Sequence, residues 1–198
     1  MALLSLAELV ALRETWQASG LRLVLTNGVF DVLHAGHVGY LERARALGDV
    51  LVVALNSDTS TRAIKGPLRP IMPQAERAAV LGALRAVDHV TIFDQPTAEA
   101  IVSALRPDVY VKGGDYAASD HAPDLARLPE ARIIAAQGGQ VVLLPYAAGL
   151  STSAIIQRIV ERYTHQDRSL NPETRPPETG FPHVPPGGEG VGGNSPPT

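Results

Sequence analysis

Leu21-Arg22-Leu23-Val24-Leu25-Thr26, followed by Asn27-Gly28-Val29-Phe30-Asp31-Val32-Leu33-His34-Ala35-Gly36-His37, is the stretch that decides how this chain folds. The first part is a short apolar run ending in turn residues, which reads as a buried strand. Asn27 to Gly36 reads as a loop. A helix is expected from about His37 to Leu47, closed by Gly48. A strand, a glycine-containing turn and a helix N-terminus therefore follow one another within a few residues. Backbone N–H groups are unpaired at such a helix start, and the helix dipole favours anions, so phosphate is a natural ligand there.

The same alternation extends outward in both directions. Upstream, Ser5 and Glu8 have capping-box spacing, apolar residues from Leu6 to Trp16 recur at helical intervals, and Gly20 is a natural stop. Downstream, Val50 to Leu55 is an apolar run of the kind found inside parallel sheets. Ser57 to Lys65 reads as a short helix and loop, and Pro73 to Ala86 as a helix with proline in its first turn. His89 to Phe93 is a strand, Thr97 to Arg106 a helix, and Val109 to Lys112 a strand. Pro129 to Gln137 is a helix, Val141 to Leu144 a last strand, and Ser151 to Tyr163 a last helix. This order predicts an α/β fold with a doubly wound, five-stranded parallel sheet. Ligands of such sheets bind at the carboxyl ends of the strands, where strand order reverses. The predicted domain covers residues 1–164. From 165 to 198 the sequence is rich in Pro and Gly and poor in apolar residues, which predicts a disordered tail.

The chain has 198 residues, a formal net charge of −3 and no cysteine. The charge argues against a general nucleic-acid binder. The lack of cysteine removes disulfides, thiolate metal sites and cysteine nucleophiles, and fits a reducing compartment. Neither a signal-peptide pattern nor an apolar run long enough for a bilayer is present, so a cytoplasmic protein without membrane partners is expected.

Four loops fall at the predicted ligand edge. In the first, His34 and His37 are three residues apart at a helix start and face the same way. Gly36 lets the backbone approach a ligand closely. Two imidazoles donate hydrogen bonds to a triphosphate, more strongly if charged. Two unrelated histidines capping a helix would be the plain alternative; a zinc pair has no third ligand at suitable spacing. In the second, Asn56-Ser57-Asp58 precedes Lys65-Gly66-Pro67-Leu68-Arg69-Pro70, whose two cations lie near the same edge or are simply solvated. In the third, Lys112-Gly113-Gly114-Asp115-Tyr116 offers close backbone approach to a base or ribose at Gly113 and Gly114. Asp115 could accept a hydrogen bond or help hold Mg²⁺, or the segment is a plain turn. In the fourth, Gly149-Leu150-Ser151-Thr152-Ser153 places hydroxyls and N–H groups at a helix start, suited to phosphate or to ordinary capping.

The H-A-G-H stretch resembles the H-x-G-H signature of the nucleotidylyltransferase superfamily, which relates to class I aminoacyl-tRNA synthetases. N-G-V-F-D-V-L-H-A-G-H, N-S-D, K-G-P-L-R-P, V-L-G-A-L-R-A-V-D and V-K-G-G-D-Y together resemble the adenylyltransferase domain of ADP-heptose synthase. Gly149 to Ser153 is similar to the superfamily's G-x-S-T-T motif, with Ser153 in place of the last Thr. The resemblance spans about Leu6 to Val160. It implies a Rossmann-like nucleotidylyltransferase fold. It also implies transfer of a nucleoside monophosphate from an NTP, with ATP favoured, to D-glycero-D-manno-heptose 1-phosphate. A homodimer is implied as well. The sugar kinase domain of the bifunctional heptose enzymes has no counterpart in the sequence, so a stand-alone transferase fed by a separate kinase is expected. Val29 stands where the heptose enzymes commonly have Cys. Glycerol-3-phosphate cytidylyltransferases resemble the chain more loosely. They carry an Arg just before the G-x-S-T-T motif, where this sequence has Pro145-Tyr146-Ala147-Ala148.

In the implied reaction the acceptor phosphate attacks the α-phosphorus in line and pyrophosphate leaves. His34 and His37 would bind the α- and β-phosphates, and Lys65 would reach over them as a mobile charge. Ser151, Thr152 and Ser153 would hold the distal phosphates. Thr26, Asn27, Gly28, Phe30 and Gly36 would line the nucleotide cleft, with Gly113, Gly114 and Asp115 at the base or ribose. Arg69 would take the acceptor phosphate or the triphosphate, and Mg²⁺ would offset the triphosphate charge. Two alternatives stay open. One is the same chemistry with CTP and glycerol 3-phosphate. The other is a non-catalytic nucleotide-binding protein of the same fold.

Overall fold

The computed structural model describes residues 2–113, 128–145 and 149–166. The chain divides into two compact units, Met1–Arg158 and Ile159–Thr198. The expected tail from 167 onward, together with Gly114 and Asp115, lies outside the described residues.

The first unit is an α/β sandwich around a parallel sheet. Its strands are β1 (Ala2–Leu3), β2 (Leu23–Gly28), β3 (Val50–Asn56), β4 (His89–Phe93), β5 (Val109–Gly113) and β6 (Gln140–Leu144). They lie in the order β1-β4-β3-β2-β5-β6, and every neighbouring pair is parallel. The five expected strands are all present. A two-residue strand at the N-terminus adds a sixth at the edge, where Ala2 and Leu3 pair with His89 and Val90. Two residues carry no periodicity, so nothing in the sequence announces it.

The helices are α1 (Leu6–Ala18), α2 (Ala35–Arg45), α3 (Asp58–Lys65), α4 (Gln74–Gly82), α5 (Glu99–Leu105), α6 (Pro129–Ala136) and α7 (Thr152–Gln166). The Ser5 capping box forms as expected, and Gly20, at φ 71°, turns the chain out of α1. Several boundaries differ from expectation. β2 runs on through Asn27 and Gly28, which pair with Ala54 and Leu55 instead of opening the loop. α2 starts two residues early, with His34 as its N-cap. Pro73 caps α4 from outside, and the helix stops at Gly82, four residues before Ala86. α7 continues to Gln166, past the start of the expected tail.

Every residue of β3 is buried, as its unbroken apolar run requires of a strand covered on both faces. One face packs Leu23, Leu25, Val52, Ala54 and Tyr110 against Leu9 and Trp16 of α1, Ile101 and Leu105 of α5, and Ile134 of α6. The other packs Val24, Leu51, Val53 and Val111 against Tyr40 and Leu41 of α2 and Leu81 of α4. Arg13 of α1 ties this scaffold at its amino end, donating to Arg106 O at 3.0 Å and pairing with both oxygens of Asp108, whose Oδ2 also accepts from Leu23 N. The chain leaves β2 toward β3 and β4, then returns to the other side of β2 for β5 and β6. Strand order therefore reverses at β2 and β5, and a crevice opens above their carboxyl ends.

Candidate active site

A cavity of about 590 Å³ occupies that crevice, within the usual range for small-molecule sites. β2 supplies Asn27 and Gly28, and the following turn supplies Phe30 and Asp31. α2 contributes His34, Gly36, His37 and Tyr40. Asn56 comes from the end of β3, Lys65 from the last residue of α3, and Arg69 from the loop beyond. Lys112 and Gly113 close the β5 side, with Leu150, Ser151, Thr152 and Ser153 at the start of α7. The four loops singled out from the sequence thus converge, apart from Gly114 and Asp115.

The two imidazoles form the centre. Their ring centroids are 3.9 Å apart with planes 28° from parallel, and the Phe30 ring meets His37 edge-on at 5.4 Å. Both Nδ1 atoms are buried without a hydrogen-bond partner among the described residues. Burial lowers the pKa of His34; burial and the adjacent His34 push His37 down to about 4. Both rings are therefore neutral at pH 7 before a ligand arrives. Charged imidazoles, considered above, would require the field of a bound polyanion.

Gly36 has a more local purpose than ligand approach. A Cβ there would lie 3.0 Å from Cε1 and Nδ1 of His34 and 3.2 Å from Cβ of Leu150. The missing side chain lets the His34 ring and the α7 loop close over the helix start. Gly28 likewise makes room for the Phe30 ring, which a Cβ would meet at 3.0 Å. Phe30 itself has φ 44°, a left-handed conformation that costs a non-glycine residue about 1 to 3 kcal/mol. Burial of its ring holds it there.

Thr26 does not line the cavity. It is fully buried, and its hydroxyl shares a 2.7 Å hydrogen bond with Tyr40 Oη, which donates to Val111 O at 3.2 Å. Strand alternation turns it toward α2 and away from the crevice. Ser151 is also partly committed: its Oγ accepts from Ala154 N at 3.1 Å and its carbonyl from Ile155 N, so it caps α7 while facing the cavity. Thr152 Oγ1 lies 3.4 Å from Val32 O.

Three residues given no role from the sequence shape the site. Asp31 is buried at the turn after β2. It accepts from Ile71 N at 2.8 Å, Met72 N at 2.9 Å and Arg69 Nε at 2.6 Å. Burial raises its pKa, but these bonds outweigh burial and hold it below the ordinary value. Asp31 thereby anchors the loop that carries Arg69. Arg77, with no exposed surface, donates to Val29 O, Asn56 O, Met72 O and Asp58 Oδ1 at 2.6 to 2.9 Å, tying three loops together from below. Lys112 Nζ reaches Asn27 Oδ1 at 2.7 Å. Asp31 and Lys112 lay inside quoted motifs, but neither spacing nor pattern names their partners.

Among the described lining residues, Asp31 is the one carboxylate, and Arg69 already faces it. Lys65, Arg69, Lys112, two imidazoles and the starts of α2 and α7 make the cavity suited to a polyanion. The cytidylyltransferase-like family model matches residues 25–158. The chain belongs to that family. As a cytidylyltransferase-like protein it is 53% identical over 138 residues to "Bifunctional protein HldE" of Streptomyces coelicolor, covering 70% of this chain and 28% of that protein. It is 49% identical over 156 residues to the protein of the same name from Hyphomonas neptunium, covering 79% and 31%. The chain therefore spans about a third or less of the curated relatives it matches. A solved structure, the lipopolysaccharide core biosynthesis protein from Thermoplasma volcanium, superposes with a TM-score of 0.51 at 32% identity, covering 65% of this chain and 98% of that one. The heptose-type resemblance drawn from the motifs is borne out by these relatives.

Proposed function

We propose that this protein transfers a nucleoside monophosphate from an NTP to a sugar 1-phosphate, releasing pyrophosphate. The observation that carries the proposal is the convergence of the stacked His34–His37 pair, Lys65, Arg69 and the α7 N-terminus on one cavity whose single described carboxylate is already paired. A phosphate oxygen of the acceptor attacks the α-phosphorus. A new P–O bond forms as the bond to the bridging α–β oxygen breaks, and pyrophosphate carries the electron pair away. No covalent enzyme intermediate is needed, so the protein acts by positioning and charge stabilisation. His34 and His37 would donate to the α- and β-phosphates, Lys65 would close over them, and Ser151, Thr152 and Ser153 would meet the distal phosphates. Arg69, held by Asp31, would offer its remaining N–H groups to the acceptor phosphate. No cluster of three potential metal ligands exists among the described residues. Mg²⁺ would offset the triphosphate charge, arriving with the NTP as a complex of its phosphates.

ATP and D-glycero-D-manno-heptose 1-phosphate are the favoured pair, supported by the motif resemblance and by relatives named HldE. A cytoplasmic homodimer is the accompanying expectation; no helix among the described residues is long and apolar enough to cross a membrane. The test is a pyrophosphate-release assay crossing the four NTPs with heptose 1-phosphate, glycerol 3-phosphate and other phosphorylated acceptors. Preference for ATP with heptose 1-phosphate supports the assignment, and preference for CTP with glycerol 3-phosphate replaces it. ATP binding without pyrophosphate release over the whole panel would mean a binding protein.

A further inference from the structure

Lys112 presents an ammonium with an unmet need. Its Nζ donates to Asn27 Oδ1 at 2.7 Å, and Tyr110 Oη donates to the same oxygen at 2.7 Å. That carbonyl is thereby saturated, and the ammonium keeps donor capacity for other acceptors. Arg13, Arg45, Arg69 and Arg77 each have a carboxylate within ion-pair distance; among the described residues Lys112 has none. Burial disfavours its charge, and the field of Glu130 offsets this only in part. Glu130 is itself buried, accepting from Ala98 N at 2.9 Å. A desolvated ammonium of this kind, open to a cavity, gains most from an anionic oxygen.

Its place on the sheet indicates which anion. Side chains alternate along β5. Val111 belongs to the face covered by α2, and Tyr110 to the face covered by α1, α5 and α6. Lys112 lies on the Tyr110 side, with Nζ 5.9 Å from that ring's centroid. The histidines open α2 on the opposite face. In-line displacement places the attacking and leaving oxygens on opposite sides of the α-phosphorus. With pyrophosphate held over the starts of α2 and α7, the acceptor must enter from the other side.

We propose that Lys112, steered by Asn27 and Tyr110, binds the phosphate of the acceptor, adding an ammonium to the guanidinium of Arg69. The proposal rests on the nucleotidyl-transfer reading for the identity of that phosphate. Its test is Lys112→Met in the full chain, which keeps most of the aliphatic stem and removes the charge. KM for the acceptor and for the NTP are measured separately, with Lys112→Arg alongside. Losing one charge-assisted contact should raise the acceptor KM by about tenfold to a hundredfold, while the NTP KM stays within about twofold. Lys112→Arg should recover most of the loss. A rise in NTP KM alone, or a lowered melting temperature with both KM values unchanged, overturns the proposal. If the parent protein releases no pyrophosphate with any pair, the transferase reading fails on its own. Calorimetric titration with heptose 1-phosphate and with inorganic phosphate then decides Lys112: binding weakened in Lys112→Met sustains a phosphate site, and equal binding removes it.

Discussion

Replacing Asp31 by Asn changes one oxygen to an NH₂ group and should unsettle the whole loop that carries Arg69. The Asp31 side chain is 1% exposed and faces three donors: the Ile71 and Met72 amides and Arg69 Nε. Asn keeps one acceptor, but its NH₂ must then confront a backbone N–H or the guanidinium. A buried ion pair broken on one side costs about 3 to 5 kcal/mol, because the remaining charge and donors are left without compensation. For a chain of this size that is a fall in Tm of roughly 6 to 20 °C. Urea unfolding of parent and D31N gives the free-energy difference directly, provided the slopes with denaturant match. A double-mutant cycle with Arg69→Met isolates the pair, and a coupling of at least about 1 kcal/mol is expected. Activity should fall as well, because Arg69 loses its fixed position at the cavity. A D31N protein within about 1 kcal/mol of the parent and uncoupled to Arg69 would refute the anchoring role.

His37→Ala, and separately His34→Ala, should lower kcat by at least about a hundredfold, corresponding to about 2.7 kcal/mol of barrier if the rings act as preorganised donors. Pyrophosphate-release kinetics check this, and a variant as fast as the parent rejects the role. Gly36→Ala should leave the Tm within a few degrees, since alanine favours the helix, yet reduce kcat by about a hundredfold through displacement of the His34 ring. Unchanged kcat would show that the ring yields at no cost. Acid should weaken the ligand-free fold. Below the ordinary histidine value of 6.5 the unfolded chain protonates at His37, whereas the folded chain resists until about 4, so the folded state loses stability as pH falls through that window. Denaturation midpoints between pH 7 and pH 4 should decline less steeply in His37→Ala than in the parent. Bound triphosphate should reverse the preference by favouring the charged rings, which calorimetry in buffers of different ionisation enthalpy would register as proton uptake.

The local order of this protein was written in its sequence. Apolar runs at Leu21–Thr26 and Val50–Leu55, helical spacing after Ser5, and H-A-G-H at the first strand-to-helix turn announce a parallel sheet and, at its edge, a helix start of the kind that suits anions. Periodicity records whether a residue is buried, and capping patterns record where a helix begins; both are properties of neighbours in the chain. What tertiary structure decided is which polar groups meet across long separations. Asp31 finds Arg69 38 residues away, Arg77 collects carbonyls from two distant loops, and Lys112 meets Asn27 across 85 residues. The same level of organisation turned Thr26 into the core and added Ala2–Leu3 to the sheet edge. These pairings depend on the register and twist of adjacent strands. A one-dimensional pattern of polar and apolar residues does not encode them, because many pairings satisfy the same pattern and only the packed sheet selects one.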